Sequence, residues 1–143
     1  MQTRDKELPD LLVDTSVAVA LVVGDHEAHV STVKALGGRT LGLSGHAWFE
    51  TFSVLTRLPP PSRRLPHDVA RLLEHNFPLS RFLSARAQRA LADQMAELGI
   101  AGGAVYDALV GATALEHGVK LLTRDRRAAD TYRSLDVAIE VIS

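Results

Sequence analysis

The sequence predicts a three-layer α/β/α sandwich with a mainly parallel central sheet. Two short apolar runs, Leu11-Leu12-Val13 and Leu121-Leu122, have the character of strands buried on both faces, as in a parallel sheet covered by helices. Each is followed within three residues by an acid, Asp14 or Asp125, and then by a helix start. Strand-like and helix-like stretches alternate along the whole chain, which is the pattern of an α/β sandwich.

Composition sets the limits. A chain of 143 residues is long enough for one domain with a real core and short for two. Residues 1–9 read as a tail and 10–143 as one domain. Apolar residues make up 46% and charged residues 23%, a soluble globular balance. The longest apolar run, Val17 to Val23, falls far short of a membrane span, and residues 1–10 carry no secretory pattern, so a cytoplasmic protein is expected. The absence of cysteine excludes disulfides and thiolate metal sites.

The first strand, Leu11–Val13, leads into a helix ending near Val23, stopped by Gly24. Asp25 is placed to cap a second helix that runs to Leu36 and stops at Gly37-Gly38. A strand follows at 40–43. Ser44 is placed to cap a helix containing Trp48, Phe49, Glu50 and Phe52, whose aromatics read as core, with a dimer or partner surface as the alternative. Pro59-Pro60-Pro61 breaks the chain, and Pro66 suits the first turn of the next helix. Leu79–Leu83 reads as a further strand. Ser84 caps an amphipathic helix with Ala87, Leu91, Met95 and Leu98 on one face, ended by Gly99. Ala104, Ala108, Gly111 and Leu115 form a small-residue stripe that lets the next helix approach the sheet closely. A strand at 120–123, a short helix at 127–133 and a last strand at 137–142 complete the chain.

Four acids stand out on this map. Asp14 and Asp125 follow strands at their carboxyl ends, the edge where open parallel sheets hold ligands. Asp14 is equally placed to cap the helix that follows it. Glu50 lies in the second turn of the helix leaving the second strand, and Asp107 lies beside the small-residue stripe. Carboxylates brought together in apolar surroundings repel one another and raise their pKa values unless a cation neutralises them. The fitting cation is hard and oxygen-seeking, Mg²⁺ or Mn²⁺. A second feature is charge: between Arg57 and Arg89 there are seven arginines and two acids, a formal +5 in a chain of net charge −1. Arginine suits bidentate phosphate contacts, so Arg57, Arg63, Arg64, Arg71, Arg81 and Arg86 are candidate RNA-binding residues. A solvated helical surface is the plain alternative.

The order Leu-Val-Asp-Thr-Ser near the start, Glu50 within Trp-Phe-Glu-Thr-Phe, Tyr106-Asp107-Ala108-Leu109 before small residues, and Leu121-Leu122-Thr123-Arg124-Asp125 resembles the PIN-domain ribonucleases. Among these it is most similar to the VapC toxins of bacterial toxin–antitoxin pairs. The resemblance runs from Leu11 to about Val141. It implies a PIN-like fold and a Mg²⁺- or Mn²⁺-dependent endoribonuclease, with one or two ions, acting on structured RNA such as tRNA or rRNA. It implies Asp14, Glu50, Asp107 and Asp125 as catalytic and metal-binding residues, with Thr15, Ser16 and Thr123 in support. It also implies a homodimer and a cognate antitoxin. Arg124, Arg126 and Arg127 around Asp125 depart from a bare acidic pocket, leaving direct or water-mediated metal contact open for that residue. Pro59–Ser80 is the expected region for RNA selection.

Two other functions compete on residues alone. Aspartyl phosphoryl transfer would need a second acid after the first strand, and Thr15-Ser16-Val17 supplies none. A catalytically inactive RNA-binding or scaffolding domain would dispense with the acids, and all four are present.

Overall fold

The computed structural model describes residues 7–143. Of the expected tail, residues 1–6 lie outside the described residues, and Pro9 is already buried. Among the described residues four strands, β1 (Leu11–Val13), β2 (Leu41–Leu43), β3 (Leu121–Thr123) and β4 (Ile139–Val141), form one sheet in the order β2-β1-β3-β4. Every pairing is parallel: Leu11 stands opposite Leu41, Leu12 opposite Leu121, and Leu121 opposite Ile139. β1 and β3 are therefore the inner strands, which is why Leu11–Val13 and Leu121-Leu122 read as apolar runs. Their residues are at most 2% exposed.

Seven helices among the described residues cover the sheet as an α/β/α sandwich: α1 (Thr15–Val22), α2 (His29–Leu36), α3 (Ala47–Thr56), α4 (Pro66–Asn76), α5 (Ala85–Leu98), α6 (Ala104–His117) and α7 (Arg126–Ser134). α1 packs on α2 and α3, and α3 on α4; α6 packs on α5 and α7. None of these helices is long and apolar enough to cross a membrane.

Four local expectations need correction. Leu79–Leu83 is not a full strand. Leu79 N and Arg81 N do donate to Leu41 O and Leu43 O, at 3.3 and 3.1 Å. Leu43 N, however, donates to the Ser80 hydroxyl instead of a main-chain carbonyl, so the ladder shrinks to one parallel bridge, Ser44–Arg81. Gly42 permits the close approach, since a Cβ there would lie 2.2 Å from Leu79 O. Asp25 does not cap α2; the helix starts four residues later, after Ala28. Ser44 does not cap α3 either, because its hydroxyl donates to Val110 O at 2.7 Å and ties β2 to α6. On α6, Leu115 is 47% exposed, and Gly111 makes room for Tyr132 of α7 rather than for the sheet.

Candidate active site

Asp14, Glu50, Asp107 and Asp125 line one small cleft, together with Thr15, Ser16, Val110, Ala128 and Tyr132. The parallel topology explains the first convergence. β1 and β3 are neighbours running in the same direction, so the residues that leave them emerge at one edge of the sheet. α3 and α6 then supply Glu50 and Asp107 from helices packed beside that edge.

Asp14 is the anchor of the site. It caps α1, its Oδ1 accepting from Val17 N at 3.3 Å and from the Ser16 hydroxyl at 2.6 Å. Its Oδ2 accepts from the Thr123 hydroxyl at 2.5 Å and the Tyr132 hydroxyl at 2.9 Å. Ser16 Oγ also accepts from Arg124 N, and Thr123 Oγ1 accepts from Asp125 N. The ends of β1 and β3 are thus stitched together by three hydroxyls around one carboxylate. Asp14 is 4% exposed, and burial pushes its pKa up even though these hydrogen bonds and that from Val17 pull it down. The Tyr132 hydroxyl is held strongly in its neutral form by burial and by the Asp14 charge.

The other three acids are looser. Glu50 is raised by burial and by the Asp14 charge, against the opposing pull of His46 and a hydrogen bond from Thr15. His46 Nε2 stands 3.7 Å from Glu50 Oε1. Asp107 is pushed up to about 6, by burial first and then by the charges of Asp125, Glu50 and Asp14. Asp125 caps α7, with Oδ1 accepting from Arg127 N and Ala128 N, and is exposed.

The donor chemistry of this cleft suits a hard cation: four carboxylates and hydroxyls, all oxygen. The shared electrostatic penalty on Asp107 is the kind that a divalent charge relieves. As they stand, no three Asp, Glu or His side chains among the described residues form a ready-made metal cage. Asp14 is held by its hydroxyl partners, while Glu50, Asp107 and Asp125 each reach solvent.

Tyr132 was not visible as a site residue in the sequence. It sits in phase with Ala128 and Ala129, which marks it only as core. Its place is set by Gly111, where a Cβ would come within 2.9 Å of its ring. The arginines distribute differently from the acids, and none lines the cleft. Arg57, Arg63, Arg71 and Arg86 are exposed. Arg64 and Arg81 are partly buried, with guanidinium bonds to Val22 O and to Leu79 O and Ser80 O.

An all-parallel α/β/α sandwich with carboxylates gathered at the carboxyl edge of its inner strands defines the class of domain. Residues 11–134 match the model of the PIN domain, and the chain belongs to that family. It is 49% identical over 133 residues to Ribonuclease VapC27 of Mycobacterium tuberculosis, covering 93% of this chain and 97% of the relative. Among solved structures, VapBC2 from Rickettsia felis bound to a promoter DNA fragment aligns at a TM-score of 0.66 and 14% identity, over 93% of this chain and 98% of that one. The sarcin-ricin loop cleaving toxin VapC20 of M. tuberculosis also aligns at 0.66, with 18% identity, over 84% and 93%. At these identities the two structures speak for the fold.

Proposed function

We propose that this protein is a divalent-metal-dependent endoribonuclease and the toxin of a toxin–antitoxin pair. The observation that carries the reading is the convergence of Asp14, Glu50, Asp107 and Asp125 on one cleft, in a chain nearly half identical to a ribonuclease over its length. Asp14, Glu50 and Asp107 would hold Mg²⁺ or Mn²⁺, with Asp125 joining directly or through water. A bound divalent ion supplies Lewis acidity and an activated water for phosphodiester hydrolysis. Ser16, Thr123 and Tyr132 fix the Asp14 carboxylate, so the anchor need not reorganise on binding. The half-open positions of Glu50 and Asp107 leave room for a phosphate group at the mouth. Arg57, Arg63, Arg71 and Arg86 would meet flanking phosphates, a contribution that weakens as salt rises. Arg64 and Arg81, tied to main-chain carbonyls, would shape the surface more than they contact RNA.

Structured RNA such as tRNA or rRNA is the proposed substrate, and cleavage of the sarcin-ricin loop by a protein of the same fold supports an exposed loop as the target. A cognate antitoxin is the proposed partner, supported by the VapBC assembly of the same fold; a homodimer and a cytoplasmic location go with this reading. Incubation of the purified protein with total RNA and Mn²⁺ tests it. Discrete cleavage ends that EDTA abolishes are expected. Undiminished cleavage in EDTA would reject the metal, and no cleavage of any RNA would favour an inactive binding domain.

A further inference from the structure

Beside the acidic cleft lies a second concavity that the hydrolytic reading leaves unused. Gly45, His46, Phe49, Phe82, Gln88 and Leu109 line a slot of ≈ 190 Å³, below the size of a drug-like ligand pocket and on the scale of one planar ring system. Phe49 and Phe82 are 58% and 50% exposed, with ring centroids 6.1 Å apart and planes tilted by 55°. His46 joins the slot to the cleft: it lines the slot, stacks on Tyr106 at 4.9 Å and 20°, and approaches Glu50. The exposed aromatics Phe49 and Tyr106 also directly precede the cleft acids Glu50 and Asp107.

The slot is held in shape. Ser84 N and Ser84 Oγ donate to the two oxygens of Glu116, at 2.9 and 2.5 Å, and His117 Nε2 lies 3.0 Å from Phe82 O. Gln88 Nε2 donates to Leu83 O at 3.1 Å, which fixes a carboxamide at the rim. Aromatic faces plus an amide are the chemistry that seats and reads an unstacked base. The surrounding charge fits the same occupant. Between 81 and 89 there are three arginines and no acid; Arg81 is tied to main-chain carbonyls, and the exposed Arg86 and Arg89 suit a phosphate backbone. A two-fold interface between copies would set like surfaces against each other, and with them those arginines.

Building on the ribonuclease reading, we propose that this slot is a nucleobase subsite, which seats one unpaired base of the RNA next to the bond being cut. One of the two rings stacks on the base while the other, tilted by 55° to it, packs against the side of the base, and Gln88 reads its hydrogen-bonding edge. Specificity for the cleavage site then comes partly from this slot as well as from the 59–80 segment.

The test is binding of mixed-sequence single-stranded RNA oligonucleotides to the full chain carrying Asp107→Asn, which stops cleavage during the titration. The same oligonucleotides with an abasic ribose at each position in turn complete the cycle. Phe49→Ala and Phe82→Ala are expected to weaken binding about tenfold, within the range of base–aromatic stacking. One abasic position is expected to weaken the parent equally and to add nothing to Phe82→Ala; Phe82→Trp restores binding. Both side chains are largely exposed, so the fold is not at stake. Binding by the alanine variants equal to the parent overturns the slot alone. So does an equal loss at every abasic position, or dissociation of a dimer in sedimentation with RNA affinity unchanged. Failure of the parent to bind any RNA overturns the slot; absence of Mn²⁺-dependent cleavage by the unsubstituted chain overturns the ribonuclease reading and the slot with it.

Discussion

The two sides of the acidic cleft are built differently. On the sheet side, Asp14 is buried and accepts four hydrogen bonds, from Ser16, Val17, Thr123 and Tyr132. On the helix side, Glu50 and Asp107 are partly exposed and are raised by burial and by repulsion from neighbouring acids. One side is an anchor whose orientation is fixed before anything binds. The other stores electrostatic strain that a cation would release. The difference suggests a division of labour: the sheet edge supplies position, and the helices supply unsatisfied charge.

The largest effect should come from breaking the helix side. Asp107→Asn removes charge from the cleft without touching the hydrogen-bonded anchor. If Asp107 holds the proposed ion, its loss costs several kcal/mol of transition-state stabilisation, at least about a hundredfold in cleavage rate. A single-turnover assay checks this. Asp14→Asn should be as damaging to activity and also lower the melting temperature. Its amide nitrogen would replace one of two acceptors in a buried site, and only on the Oδ2 side are both partners hydroxyls able to turn and accept.

A smaller effect is expected from loosening the anchor. Tyr132→Phe keeps the ring packed against Gly111 and deletes only the hydroxyl that donates to Asp14 Oδ2. Outer partners of metal ligands typically contribute about ten- to a hundredfold in metal affinity or activity. Titration of activity against Mn²⁺ should show the loss mainly as weaker metal dependence, with the fold retained.

Stability against pH sharpens the same contrast with a smaller signal. The Asp107 pKa is raised from 3.8 to about 6 in the folded protein. A raised carboxylate contributes stability that is fully present below its unfolded pKa and is lost as pH rises through the folded one. The metal-free protein should therefore lose stability between pH 3.8 and about 6, and Asp107→Asn should lose less. Thermal melts in EDTA across that window check the sign. The smallest effect is expected outside the cleft lining: Arg86→Gln should reduce the salt dependence of RNA binding by a slope of about 0.7, one phosphate contact on a single strand.

What the sequence revealed follows this same division. β1 and β3 are buried inner strands, so their apolar runs and the acids just beyond them, Asp14 and Asp125, were legible from pattern alone. Glu50 and Asp107 were legible as acids in apolar helices, but their shared cleft depends on how α3 and α6 pack. Tyr132 was hidden because a buried tyrosine in helical phase carries no mark of what its hydroxyl meets 118 residues away. The 79–83 segment misled because its apolar residues Leu79, Phe82 and Leu83 suit a short strand, whereas the Ser80 hydroxyl takes the ladder bond of Leu43 N. Phe49 reads as core in the sequence, but it is 58% exposed on α3 and faces Phe82.

Calorimetric titration of Mn²⁺ into the full chain and into Asp107→Asn, at a pH above 6, tests the convergence of the four carboxylates most directly. Saturable, specific uptake by the parent that is lost or greatly weakened in the variant is the expected result. No specific uptake by the parent, or equal uptake by both, would contradict a cation site in this cleft.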